Sequence, residues 1–136
     1  MKLDRNSVKL HLGAALKHPR IIRLVTVAWL LLMILGSLQP ARPPLLGYSS
    51  FHLGIHWVAF AGAAFLLLLM CSDRVQEVLG VSALCLLGIS LEYFQHLIYH
   101  IPIEWRDVRN DWLAIFVAFA LYRLAGVHAM SQVQDR

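Results

Sequence analysis

Charge is scarce in this chain. Asp, Glu, Lys and Arg make up 15% of its 136 residues, against 59% hydrophobic residues and a mean hydropathy of +0.63. That balance excludes an ordinary water-soluble domain and describes an integral membrane protein. Cysteine is scarcer still. Cys71 and Cys85 lie in or beside apolar runs with no close-pair spacing, so neither a disulfide framework nor a zinc ribbon is expected, and both read as packing residues. The H-E-x-x-H order of zinc hydrolases is missing, and nothing beside Ser49 and Ser50 fixes a nucleophilic triad. No internal repeat or low-complexity stretch interrupts the chain. Length is limiting too: a spanning helix takes about 20 residues, so one bundle accounts for nearly everything and a single domain is expected.

What is present begins with basic residues at the N-terminus. The formal net charge is +4 and the pI is near 9.4, but Lys2, Arg5, Lys9, Lys17 and Arg20 crowd beside the first hydrophobic run. Anionic lipid head groups, not nucleic acid, are therefore the expected partner. Within residues 1–20, Val8, Leu12, Ala15 and Leu16 share one face behind a Ser7 cap, which reads either as an interfacial helix or as a merely topogenic basic tail.

Four apolar segments follow. Residues 21–38 are long enough to span, too long for a secretory leader, and followed by no A-x-A-like site, so a retained helix is expected. Pro40, Pro43 and Pro44 make 39–47 a connection. A second span runs over about 48–70, with Leu66 to Leu69 expected to face lipid. A third covers 78–97 and is stopped by Pro102. The fourth starts around Asp107 to Asp111 and reaches about 127, with Arg123 snorkelling toward head groups and 128–136 as a tail. The predicted architecture is all-α: a four-helix transmembrane bundle over 21–127.

Orientation comes from the Lys and Arg count. With the N-terminus inside, nine basic residues (Lys2, Arg5, Lys9, Lys17, Arg20, Arg23, Arg74, Arg123 and Arg136) fall on the cytoplasmic side, against Arg42, Arg106 and Arg109 outside. Both termini are therefore expected in the cytoplasm. The unusual polar residues then share one extracytoplasmic depth: His52 and His56 open the second helix, Glu92, Gln95 and His96 close the third, and Asp107 and Asp111 open the fourth. They also share faces that continue inward as small residues. His52, His56, Ala59 and Ala63 form one stripe; Gly88, Glu92, Gln95 and Tyr99 another; Asp107, Asp111, Ala114 and Ala118 a third. Gly88, Ala114 and Ala118 are expected to pack helices closely.

A carboxylate within a hydrophobic run is costly. Glu92 reads either as part of a functional cluster or as a structural acid paired with Arg106 or a histidine. The His52-x-x-x-His56 pair opposite Glu92-x-x-x-His96 has ligand types suited to zinc, although histidines near an interface are commonly boundary residues. No resident metal and no cofactor is expected. Trp57, Trp105, Trp112, Tyr48, Tyr93 and Tyr99 read as an aromatic belt.

The combination G-x-x-x-E-x-x-Q at Gly88, Glu92 and Gln95, then Glu104, Trp105, Arg106, Asp107 and Val108 in a connection, then a last hydrophobic helix, resembles the VanZ-like family of small bacterial membrane proteins. His56 and Phe60 match as well, and the likeness covers roughly residues 50–120. Where that family shows Asp-Lys this chain has His52-Leu53; its loop arginine falls near Ile101; its Asn and Gly on the last helix fall at Asp111 and Ala114. The resemblance implies a multi-span protein of the bacterial cytoplasmic membrane, from a family whose namesake is associated with glycopeptide resistance. Three functions are carried forward: recognition or modification of a lipid-linked or peptidoglycan-related head group by a polar pocket of His52, His56, Glu92, Gln95, His96, Arg106, Asp107 and Asp111; a non-catalytic accessory subunit of a larger membrane complex; and a metal-dependent membrane hydrolase.

Overall fold

Each of the four apolar segments becomes a helix. The structure, a computed structural model, describes residues 19–38 and 50–134, with side chains described over 20–38 and 52–125. It comprises α1 (Pro19–Ser37), α2 (Ser50–Leu68), α3 (Arg74–Tyr99) and α4 (Trp105–Gln134), with no strand among the described residues. The N-terminal segment 1–18 and the connection 39–49 lie outside the described residues, and with them the interfacial-helix reading, Tyr48, Ser49 and Arg42.

Local chemistry sets the boundaries. Pro19 opens α1, where a missing N–H costs nothing. The Asp73 carboxylate accepts the Gln76 N–H at 2.9 Å while the Gln76 side chain accepts the Ser72 N–H at 2.9 Å, a reciprocal cap that starts α3 four residues earlier than expected. At its other end His100 takes the left-handed conformation (φ 54°) and donates its N–H to the His96 carbonyl at 3.0 Å. Pro102 follows and cannot continue the helix. The Glu104 carbonyl then accepts the Asp107 N–H at 2.8 Å. Trp105, Arg106, Asp107 and Val108 are thus the first turn of α4, not part of a connection as expected from sequence. At the far end α4 continues to Gln134, so most of the expected tail, 128–134, is helical.

Two helices, Arg20–Ser37 and Arg74–Tyr99, are long and apolar enough to cross a membrane. In α2 the apolar stretch is shorter, His52–Leu68, and α4 carries Arg106, Asp107, Arg109, Asp111 and Arg123.

The helices alternate in direction. The N-terminal turns of α2 and α4 meet, so these two run parallel, and the α1 and α3 C-termini come to the same end. The core is built from small and apolar residues of α2, α3 and α4: Phe60, Ala63, Ala64, Leu84, Leu91, Ala114, Ile115 and Ala118. Ala63, Ala64 and Ala114 are fully buried, which lets α2 and α4 approach closely, as expected for small residues on facing helices. The α1 helix leans on α2 through Trp29, whose indole donates to the Ala59 carbonyl at 2.9 Å. Its ring lies over Gly62, where a Cβ would come within 2.7 Å of Trp29 Cζ2.

One expectation fails at the opposite end. Leu68 is fully buried, and none of Leu66, Leu67 and Leu69 is exposed, because this turn of α2 packs into the bundle instead of facing outward. Arg123 there has a protein partner: its guanidinium donates to Glu77 of α3 at 3.2 Å. Glu77 sits at a helix start among charged neighbours, which hid its burial. Cys71 donates to the Leu67 carbonyl at 3.4 Å, and burial, with Glu77 and Asp73 nearby, pushes its thiol pKa up, consistent with a packing role.

Candidate functional site

Where α2 and α4 begin, two histidines meet two carboxylates in matched rungs. His52 Nε2 lies 3.2 Å from Asp107 Oδ2, and His56 Nδ1 lies 2.9 Å from Asp111 Oδ1. Partners in both rungs are 55 residues apart, so a turn on one helix matches a turn on the other. A diagonal approach links the rungs: His56 Nε2 is 3.7 Å from Asp107 Oδ2. The imidazole centroids are 4.7 Å apart, and the His56 ring stacks on Phe60 at 6.5 Å.

Asp107 and Asp111 are 2% and 1% exposed. Carboxylates buried to this degree require donors. An ionised carboxylate only accepts, so with Asp111 ionised the proton in its contact belongs to His56 Nδ1, and Nε2 is the atom left facing Asp107. Asp107 is less well served: Oδ2 faces both imidazoles, while Oδ1 is buried with no hydrogen-bond partner.

Gly88 makes the arrangement fit. A Cβ there would lie 3.4 Å from Asp111 Oδ2 and 3.4 Å from Phe60 Cε1, so a side chain larger than alanine would press on both. Glu92, one turn further along α3 and 6% exposed, accepts the backbone N–H of Glu104 at 3.1 Å. It fastens the start of α4 to α3 and so positions both aspartates.

Other expected members lie elsewhere. Gln95 donates to the Ser37 carbonyl, and Tyr99 to the Leu38 carbonyl; both tie α3 to the end of α1, and Gln95 still borders the cavity described below. His96 is exposed, with Nδ1 2.6 Å from the Ile101 carbonyl; although it stands one turn from Glu92, its ring braces the α3–α4 turn and does not line the cavity. Arg106 is exposed and borders no part of the cavity, since the helical first turn of α4 sends it away from neighbouring Asp107. The exposed Trp112 donates its indole N–H to the Cys85 carbonyl at 3.2 Å, tying α4 to α3.

The site opens onto a cavity of about 970 Å³. One end is polar, with His52, His56, Glu92, Glu104, Asp107 and Asp111. The wall is apolar, including Trp29, Met33, Phe60 and Leu91, and exposed Leu32, Ile55 and Val58 form part of its lining. Four carboxylates border it, and among the described residues no Lys or Arg does. Sequence reasoning missed Trp29 and Glu104. An indole near the middle of an apolar helix is a usable signal, because its N–H needs a partner; Glu104, besides bordering the cavity, gives its backbone N–H to Glu92, a contact composition cannot reveal.

No protein-family model, no curated protein and no solved structure matches this chain.

Proposed function

We propose that this chain is a VanZ-like protein of the bacterial cytoplasmic membrane that crosses the bilayer four times, with both termini in the cytoplasm, and receives an envelope lipid's head group in its cavity. The observation that carries the reading is the two-sided character of that cavity. An acyl chain suits the apolar wall and the exposed rim at Leu32, Ile55 and Val58, while the head group reaches the imidazoles and carboxylates. With four carboxylates and no Lys or Arg among the described residues around it, the lining favours hydroxyl or amine donors over a bare phosphate.

Support for four spans comes from the distribution of polarity. Large apolar side chains are exposed on all four helices, Leu24, Val58, Leu86 and Leu121 among them, while Thr26, Glu77, Glu92, Asp107 and Asp111 are buried. That inversion suits lipid surroundings. Asp107 and Arg123 lie 16 residues apart on α4, about 24 Å at the helical rise, so the two polar ends sit near opposite faces of a hydrocarbon core about 30 Å thick. The accessory-subunit reading needs free small-residue faces, and those at Ala63, Gly88, Ala114 and Ala118 are used inside the bundle.

Topology is tested in a background with Cys71 and Cys85 replaced by Ala. A cysteine at Glu104 should react with an impermeant thiol reagent in intact cells, and one at Arg74 only after permeabilisation. The reverse pattern would turn the molecule over and remove the outer leaflet from the proposal.

The ligand is tested by mass spectrometry of lipids that co-purify in gentle detergent. A Cβ at Gly54 meets nothing within 4 Å, so Gly54→Trp should fill the cavity without disturbing the core. Wild type should retain a head-group lipid that Gly54→Trp lacks at an unchanged melting temperature. Identical lipid profiles would sink the pocket reading, and a stoichiometric protein partner in both preparations would replace it with the accessory subunit.

A further inference from the structure

We propose that His52, His56 and Asp107 bind one divalent transition-metal ion of the zinc type, with Asp111 as a positioning residue for His56. The sequence pattern points to a different ligand set, His52 and His56 with Glu92 and His96, and leads to no expectation of a resident metal. The structure sends Glu92 and His96 elsewhere and brings Asp107 in. One ligand atom each from His52, His56 and Asp107 lies within 4.8 Å of the others.

The spacing suits coordination. Tetrahedral zinc with bonds of about 2.0–2.1 Å places its ligand atoms about 3.3–3.4 Å apart. Asp107 Oδ2 lies 3.2 Å from His52 Nε2 and 3.7 Å from His56 Nε2, close to that spacing, and all three ligand atoms lie within 4.8 Å of one another, so the imidazoles need only draw together around the ion.

Two observations beyond proximity point to a cation. The first is Asp107 Oδ1, which is buried with no hydrogen-bond partner on a residue 2% exposed. A buried carboxylate oxygen without a donor is a costly feature, and a cation held at Oδ2 that also draws in Oδ1, binding the carboxylate through both oxygens, would relieve it. The second is the Asp111 contact at 2.9 Å: an ionised Asp111 accepts there, which puts the His56 proton on Nδ1 and leaves Nε2 for the metal. A carboxylate behind a ligating histidine is the usual outer-shell arrangement.

Two imidazoles and one carboxylate favour zinc-like ions over magnesium or calcium, which take oxygen donors. Three protein ligands leave a fourth position open, and these three border the cavity. The ion would supply the positive centre that the described lining lacks, letting a phosphate or hydroxyl oxygen of a ligand dock among four carboxylates. In that respect the inference deepens the head-group reading, but the metal site itself requires no lipid.

The test uses full-length protein purified in detergent through a tag without histidine. Elemental analysis is expected to find about one zinc, or a competing transition ion, per chain, and cobalt added to stripped protein should give the visible absorption of a four-coordinate site. His52→Ala combined with His56→Ala should abolish both signals, while His96→Ala, a histidine at the same end of the bundle, should change neither. Asp111→Asn should still fill at saturating zinc but bind roughly 10–100-fold more weakly in a chelator competition, a readout that a purely structural role would not move. Wild type that neither carries nor takes up a transition metal, metal retained by the double variant, or uptake of calcium or magnesium alone would overturn the proposal. Zinc without a co-purifying lipid would leave the site standing and remove its head group; lipid without zinc would do the reverse.

Discussion

Asp111→Ala is expected to be the most damaging single substitution in the polar layer. Asp111 is 1% exposed and is held by His56 at 2.9 Å. Its removal forfeits a charge-assisted hydrogen bond, about 1.5–3 kcal/mol, and leaves the His56 N–H without its acceptor. If His56 carries a second proton, the abandoned charge raises the cost toward about 3–5 kcal/mol. Thermal unfolding in detergent measures the loss. Asp111→Asn should recover part of it, because the amide oxygen still accepts from Nδ1. A variant Asp111→Ala that melts with wild type would mean the rung contributes nothing to holding α2 against α4.

Ala114→Leu should do comparable harm by a different route. Ala114 is fully buried between α2 and α4, as are Ala63 and Ala64 across the seam. Overpacking in a filled core typically costs about 1–3 kcal/mol. Here the added atoms also push α4 off α2 less than one helical turn from Asp111, so both His–Asp rungs should lengthen with it. Ala120→Leu on the same helix is the control: Ala120 is exposed, and the extra methyl groups there should leave the melting temperature unchanged. Equal melting of the two variants would show that the seam tolerates separation. If Ala114→Leu melts early yet still binds zinc at wild-type affinity, the rungs do not depend on this packing.

Much of this arrangement is legible in the residues. Proline and polar breaks mark the four helices, and the i, i+4 spacing of His52 with His56 and of Asp107 with Asp111 is enough by itself to place each pair on one helical face. Small residues one or two turns further on identify the faces that meet. What spacing does not provide is the pairing. Glu92 stands out as an expensive carboxylate, but its partner is the Glu104 N–H, and a backbone group has no signature in a sequence. The same holds for Trp29 and the Ala59 carbonyl. Spacing groups His96 with Glu92, one turn away, yet its ring is taken by the Ile101 carbonyl. Arg106 sits next to Asp107, but adjacent positions on a helix point about 100° apart, and it lies at the surface. Asp73 and Gln76 are readable as a reciprocal cap, since aspartate three residues before glutamine is a recognisable start signal.

The 55-residue separation of the rungs also has a meaning in time. A ribosome adds about 5–20 residues per second, so the histidines of α2 emerge about 3–11 seconds before the aspartates that partner them. The half that waits is the one most easily left waiting: an imidazole is readily neutral near pH 7, whereas a carboxylate away from water becomes neutral only by taking up a proton far above its ordinary pKa. The acids are synthesised last, when both histidines are already in place to receive them. With the order of α2 and α4 exchanged, the folded contacts would be the same, but the nascent chain would have to hold two unpaired carboxylates until their histidines were made.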